Sequence, residues 1–542
     1  APAPPPLAPP VWTAVPLPPP EAPQPAKASK VHELAKAIFI GALQAQVVDP
    51  RALAHENDLG YYDAELAPLC WASPNEPQQA SLGQTRWLHA SSARLFPGST
   101  WLRLALGPGP NSLMLSSMAE QNQLAVLVGG GPAPGINSVI GAATIRACLS
   151  GIPVLGIRDG FRWIMRGELK YVRPLDIESV SRIHFRGGSC LGTARANPTK
   201  DPETLDATLE SFRKLGVSKL VTIGGDDTAF SAMRLSAHSQ GQLQVVHVPK
   251  TIDNDLDLPA WIPTFGYQTA RHVGTGIVRD LLTDAQTTSR WYFVVAMGRK
   301  AGHLALGIGK AAGATLTVIP EEFPKQQIPL KSLVDLLAGA IIKRLAYGRA
   351  DGVAVLAEGL VERIPESDLA ELEGAERDEH GHIRLSEIDF GRIIKTSVAD
   401  RLKQLGIKVT IVSKDIGYEL RCTDPIPFDM EYTRDLGYCA AKYLIEGGSG
   451  AMITVQEGKF KPIRFEDMLD RDTGRTRVRM VDTNTEYYKI ARRYMLRLRR
   501  DDFAGAGEIS RYAGVTRLSP DEFRAQFEYL VSDEAPPLAF GH

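Results

Sequence analysis

The chain predicts an α/β protein. From Leu124 onward, short apolar runs alternate with helical stretches, which favours a parallel sheet wound on both faces. Nine such runs exceed one comfortable sheet, so the expected architecture is two Rossmann-like parallel-sheet halves plus an N-terminal extension. A third observation places chemistry within that frame. Gly224-Gly225-Asp226-Asp227-Thr228 puts two adjacent carboxylates on a glycine turn at a strand-to-helix junction, where open α/β sheets bind their ligands.

Taken in order, residues 1–30 form a Pro/Ala-rich stretch with twelve prolines in its first 25 positions. Backbone donors are missing at nearly every second position there, so a disordered tail is expected. Residues 31–122 form an extension with a helical pattern at 31–48 and a strand-like one near 100–105. Strands are then expected at 124–128, 152–157, 219–223, 244–248, 291–297, 315–319, 352–356, 408–412 and 451–455. Helices are expected at 137–148, from 228, at 267–288 and at 435–446.

Composition excludes several classes of function. With 61 basic and 62 acidic side chains the formal net charge is -1, so nothing draws the whole chain to nucleic acid or to an anionic membrane. No apolar run is long enough to span a bilayer, and the N-terminus lacks a basic stretch followed by an apolar one. The expected compartment is the cytoplasm. Cys70, Cys148, Cys190, Cys422 and Cys439 show no Cys-x-x-Cys spacing, which argues against a zinc site or a disulfide framework and for reduced core or near-core thiols.

One carboxylate on a glycine turn can hold Mg²⁺ among phosphate oxygens. The second, Asp227, sets a like charge against any further phosphate, so the site is expected to accept a short phosphate donor and reject a long one. About one βα unit downstream, the run at 244–248 ends in Pro249-Lys250-Thr251-Ile252-Asp253-Asn254-Asp255, a second acidic, turn-rich strand end. The loop Gly129-Gly130-Gly131-Pro132-Ala133-Pro134-Gly135-Ile136-Asn137 is neither a Walker A loop nor a dinucleotide fingerprint, yet its backbone N–H groups can face an anion.

These motifs resemble those of the phosphofructokinase family, and within it the pyrophosphate-dependent members. The same order is kept by Gly192-Thr193-Ala194-Arg195, Met297-Gly298-Arg299, Ala357-Glu358-Gly359 and Gly417-Tyr418-Glu419-Leu420-Arg421, over roughly residues 123–500. The resemblance implies an active site in the cleft between the two halves. It implies a Mg-pyrophosphate donor half at 123–265, a sugar-phosphate half at 266–418, and a segment at 419–542 that returns to the donor half and covers it.

The implied reaction is reversible phosphoryl transfer from pyrophosphate to the 1-hydroxyl of fructose 6-phosphate. Gly130, Gly131, Arg195 and Lys250 are then expected on the donor, with Asp226 as ligand of the cofactor Mg²⁺. Asp253 is expected to take the hydroxyl proton, and Lys250 to stabilise the departing phosphate. Asp255 serves either local hydrogen bonding or the metal. Thr251, Ile252, Met297, Gly298, Arg299, Glu358, Tyr418 and Arg421 are expected on the sugar phosphate. Arg290 resembles an arginine supplied across a subunit contact, implying a homodimer or homotetramer with shared sites.

Relatives that use ATP generally carry glycine where Asp227 stands. A carboxylate about 4 Å from a nucleotide's α-phosphate costs roughly 4 kcal/mol per charge pair at an effective dielectric near 20. An ATP-dependent 6-phosphofructokinase is therefore the alternative, and an inactive regulatory family member a further one; sedoheptulose 7-phosphate stays open as a second acceptor. Pro132 replaces an aspartate common in bacterial ATP-dependent relatives, so behaviour tied to that aspartate does not carry over.

Overall fold

The first strand, β1 (Gln123–Val128), sends Leu124, Val126 and Val128 into one core and Ala125 and Leu127 into another. A strand's period of two requires this when both faces of its sheet are covered. The computed structural model describes residues 122–532 apart from 260, 324–326, 371–387 and 470–475. The proline-rich tail, the expected helix at 31–48, the expected strand near 100–105 and Cys70 lie outside the described residues.

The remaining strands are β2 (Val154–Ile157), β3 (Val172–Leu175), β4 (Val217–Gly224), β5 (Gln244–Thr251), β6 (Phe265–Gly266), β7 (Trp291–Ala296), β8 (Leu316–Val318), β9 (Gly352–Ala357), β10 (Ile411–Ile416), β11 (Ala451–Met452), β12 (Val455–Gln456), β13 (Lys459–Phe460) and β14 (Ile463–Arg464). Two sheets hold the main body. The first runs β14-β11-β5-β4-β1-β2-β3 with β6 beside β5, and is parallel except at its edges β3 and β14. The second runs β10-β7-β9-β8 and is parallel throughout. This is the doubly wound α/β architecture in two halves.

Helices cover both sheets. On the first, α1 (Ile136–Cys148) lies on one face, and α2 (Pro202–Lys214) and α3 (Asp226–His238) on the other. The second is wrapped by α4 (Tyr267–Thr288), α5 (His303–Ala312), α6 (Leu330–Ala346) and α7 (Phe390–Gln404), whose apolar sides share one core with the strands. Then α8 (Pro427–Ile445) packs beside α1, and α9 (Glu486–Tyr494), α10 (Ala506–Ala513) and α11 (Pro520–Phe527) close the described chain.

Local chemistry sets the helix starts. Asp201 accepts the Thr204 N–H at 2.7 Å and Pro202 occupies the first turn of α2, satisfying one free donor and removing another. The start of α4 is held from a distance, because the buried carboxylate of Asp429 on α8 accepts the N–H groups of Gly266 and Thr269 at 2.9 and 2.8 Å.

Some expectations shift. The strand expected at 408–412 lies at Ile411–Ile416, in register with all of β7. As an edge strand it leaves Lys414 and Asp415 exposed and Ser413 half-buried, so an apolar run does not mark it. The segment 419–542 does not return to the first half as a whole. Its α8, β11 and β14 do, whereas side chains from Val481 to Val531 are buried in the core of the second half. The four described cysteines are free thiols, and Cys422 is exposed rather than near the core. Among the described residues, no helix is long and apolar enough to cross a membrane.

Candidate active site

After β1 and β4 the chain turns into helices on opposite faces, α1 and α3, at the point where the first sheet changes winding direction, which opens a crevice at the carboxyl ends of its strands. Close packing of the two turns demands glycine. A Cβ on Gly129 or Gly224 would come within 2.4 Å of Thr228, which is buried between them. Beneath the turn, His247 lies 3.0 Å from the Gly224 carbonyl, which can only accept, so Nε2 carries the proton. Burial pushes this imidazole down to about 3, and it stays neutral.

Asp226 and Asp227 open α3, two residues earlier than the sequence pattern suggests. Their charges meet the positive end of the helix, a favourable placement worth about 0.3–1 kcal/mol each at a surface. Asp226 Oδ1 also accepts the Asp227 N–H at 2.9 Å. Asp227 itself is exposed at the cavity wall.

The strand β5 runs three residues further than expected and carries Lys250 inward. Lys250 is 4% exposed, so it is not a solvated strand-end lysine. Its Nζ donates to the Gly131 carbonyl oxygen. Burial first, then the Arg421 guanidinium, push its ammonium down to about 8.

Next in sequence, the Asp253 N–H is held by Thr251 Oγ1 at 3.0 Å. Asp253 Oδ1 is buried without a hydrogen-bond partner. Burial and the neighbouring Asp255 push this carboxyl up to about 7, against the opposing pull of Arg421. A buried carboxylate oxygen with no partner, facing a cavity, is available to accept a proton.

The opposite wall comes from the second sheet. Met297-Gly298-Arg299 follows β7, Glu358 follows β9 and Tyr418 to Arg421 follow β10, three adjacent strands ending at one level. Glu358 Oε2 accepts the Gly298 N–H at 3.1 Å. Arg299 meets Glu362 at 3.4 Å at the rim. The Arg421 guanidinium lies against Gly131, about 3.5 Å from where a Cβ would sit, and 5.1 Å from the Tyr418 ring. On the glycine-loop side, Thr193 Oγ1 donates to the Gly130 carbonyl at 2.6 Å and brings the Gly192 to Arg195 turn alongside.

Together these groups enclose a cavity of about 490 Å³. Of the expected site residues, all but Gly298 and Arg290 line it, and Gly298 stands just behind through its bond to Glu358. Arg290 is elsewhere. It precedes β7 while Met297 follows it, roughly 23 Å away along an extended strand, and it faces Asp284 at 4.0 Å.

Lys300 and Glu362 also line the cavity and were missed. Lys300 Nζ contacts Asp226 Oδ2 at 2.5 Å, joining the two walls. A signal existed for both: Lys300 directly follows the Met-Gly-Arg run, and Glu362 lies one turn beyond Glu358. Among the described residues no cluster of three His, Cys, Asp or Glu side chains forms a metal cage. Mg²⁺ does not need one, because it takes one or two carboxylates and fills its octahedron with water and phosphate oxygens. Asp226, half-buried and with Asp227 beside it, fits that requirement.

The phosphofructokinase family model matches residues 123–444. The chain is 51% identical over 415 residues to the pyrophosphate–fructose 6-phosphate 1-phosphotransferase of Thermotoga maritima, covering 76% of this chain and 98% of that protein. It is 50% identical over 417 residues to the enzyme of the same name from Naegleria fowleri, covering 75% of this chain and 95% of the other. Its fold is similar to the phosphofructokinase structure from Saccharomyces cerevisiae, with a TM-score of 0.50 and 22% identity over 76% of this chain. There the chain spans 50% of the other's length. Two sheets meeting at one cavity, with the motifs of that family on its walls, agree with the sequence matches: the chain belongs to the phosphofructokinase family.

Proposed function

We propose that this protein transfers a phosphoryl group from pyrophosphate to the 1-hydroxyl of fructose 6-phosphate, reversibly, giving fructose 1,6-bisphosphate and phosphate. The observation that carries the reading is the pairing, in one cavity, of the buried Lys250 ammonium on the glycine loop with the unpartnered Asp253 Oδ1. As the sugar oxygen forms its bond to phosphorus, Asp253 Oδ1 takes the hydroxyl proton. As the bridging P–O bond of pyrophosphate breaks, Lys250 Nζ meets the charge on the departing phosphate.

Gly130, Gly131 and Arg195 hold the donor, and Thr251, Ile252, Met297, Gly298, Arg299, Glu358, Tyr418 and Arg421 orient the sugar phosphate. Asp226 holds Mg²⁺, with Asp227 adjacent; the ion supplies neutralisation of phosphate charge. Arg290 is too far along β7 to serve its own cavity, which supports a homo-oligomer in which it serves a neighbour's.

Donor choice rests on Asp227. Because the carboxylate is exposed, its repulsion of a nucleotide α-phosphate lies between about 1 and 4 kcal/mol, one to three decades in binding. Initial rates with purified protein, Mg²⁺ and fructose 6-phosphate decide the matter. Pyrophosphate should support turnover and ATP should give about a tenth to a thousandth of it; equal rates, or ATP alone, would sink the assignment.

A further inference from the structure

The segment Arg477 to Val481 lies directly on the loop that leaves Asp253. The Arg479 N–H donates to the Asp255 carbonyl at 2.8 Å, Leu256 and Val478 form an antiparallel bridge, and Arg477 Nε meets Asp257 Oδ2 at 2.7 Å. The Arg479 guanidinium then gathers the rest of the loop. Nε donates to the Asn254 carbonyl at 3.1 Å, and Nη2 bonds Asn254 Oδ1. Nη1 is shared by the carbonyls of Ile262, Pro259 and Leu258 at 2.8, 3.2 and 3.3 Å.

Asn254, next to Asp253, has φ of 59°, a left-handed conformation that a non-glycine residue keeps when its surroundings hold it. Here Arg479 holds both its carbonyl and its side chain, while Thr264 N–H donates to Asn254 Oδ1 at 3.0 Å.

The same short segment grips the other wall. His303 Nε2 lies 3.1 Å from the Arg479 carbonyl, and the Val481 N–H donates to Glu321 Oε1 at 3.0 Å. That oxygen also takes the Gly302 N–H at 2.9 Å, at the start of α5 and three residues past Arg299.

Resting on the function proposed above, we propose that Arg479 is a positioning residue for phosphoryl transfer. Its segment straps the loop after Asp253 to the start of α5, and so fixes Asp253 Oδ1 relative to Arg299 and Lys300 across the cavity. Five donors in a planar fork suit a fan of loop carbonyls, and a lysine cannot reproduce it.

The test uses the full chain with Arg479→Ala and Arg479→Lys, assayed with Mg-pyrophosphate and fructose 6-phosphate. Misplacing a reacting group by about 1 Å costs on the order of 100-fold, so Arg479→Ala should lower kcat by about that factor while KM for fructose 6-phosphate changes less than about threefold. Guanidinium ion at tens of millimolar should restore part of kcat in Arg479→Ala. Water reaching the loosened loop should also move the acid limb of the pH profile down, because Asp253 then loses part of its burial. Lys250 on β5, Asp255 on the same loop, Glu358 after β9 and Arg421 after β10 face that carboxyl and are unchanged by the substitution.

If Arg479→Ala fails to fold, Arg479→Lys carries the same readouts, with an intermediate loss of kcat and a smaller shift of the limb. A kcat within threefold of wild type overturns the proposal. So does a loss that tracks the folded fraction, with an unmoved pH profile and no rescue. Wild-type protein that turns over no pyrophosphate overturns the parent function and this inference together, whereas active wild type beside a normal Arg479→Ala overturns this inference alone.

Discussion

The Lys250 ammonium, at the end of β5, is hydrogen-bonded to the carbonyl oxygen of Gly131, in the turn after β1. The cation is thus docked where donor phosphate is proposed to lie, and in the proposed reaction donor binding exchanges its neutral acceptor for an anionic one.

Removing that charge at constant shape isolates its contribution. Lys250→Met should reduce kcat with pyrophosphate by two to three decades, on the order of 3–4 kcal/mol of transition-state stabilisation. Calorimetric binding of fructose 6-phosphate should stay within a few-fold. A kcat within tenfold of wild type would remove Lys250 from the transfer step.

In the proposed reaction Asp253 acts as a base in its carboxylate form, and Lys250 acts in its ammonium form. With Asp253 raised to about 7 and Lys250 lowered to about 8, kcat/KM should fall as pH drops through 7 and again as it rises through 8, a narrow bell. In kcat the alkaline limb should move up, because bound pyrophosphate favours the charged lysine. Asp253→Asn should cost about two decades or more in kcat, leave fructose 6-phosphate binding intact, and erase the acid limb. Retention of that limb in the variant would assign it to another group.

Asp227→Gly tests donor choice. It should raise ATP-dependent turnover by one to three decades, as expected from removing about 1–4 kcal/mol of repulsion. Pyrophosphate use should weaken at the same time. ATP activity that stays at background in a folded variant would show that this carboxylate is not the gate.

The floor of the site depends on the contact between Gly224 and Thr228. A methyl on Gly224 would fall 2.4 Å from Thr228 Cβ, with both residues buried. Gly224→Ala should therefore destabilise the protein by about 1–3 kcal/mol, measured as a lower urea midpoint at unchanged slope. An unchanged midpoint would mean that the turn relaxes freely.

How much of this was legible in the sequence follows the range of the forces involved. The buried strands and the motifs at their ends could be read because each is written in consecutive residues, and they account for most of the cavity wall. Lys300 sits one residue beyond a motif, and its partner Asp226 is on the other half, so its place depends on how the halves meet. Arg479 gave no local signal at all: the partners of its guanidinium are loop carbonyls and the Asn254 side chain, more than 200 positions earlier. The edge strand β10 lies further along the chain than expected because its middle is polar, with Lys414 and Asp415 exposed and Ser413 half-buried. The division of the C-terminal segment between two cores was hidden for a similar reason, since helices such as α9 and α11 show an apolar face without naming the surface it covers.

The first sheet is finished late in synthesis. Its strand β11 pairs with β5, yet between them the chain lays down every strand of the second sheet, and the helix that covers α1 is made in the same late stretch. A nascent chain that has emerged as far as Ile416 therefore holds a complete second sheet beside a first sheet whose β5 edge is bare at Val246 and His247 and covered only at Lys250 and Thr251, by β6. Until Ala451 arrives, that edge can pair with other chains, and closing the long loop slows its capture. In pulse-labelled hydrogen exchange during refolding, amides of β7 and β9 should gain protection before those of β5; the opposite order would mean that the first sheet assembles without its last strand.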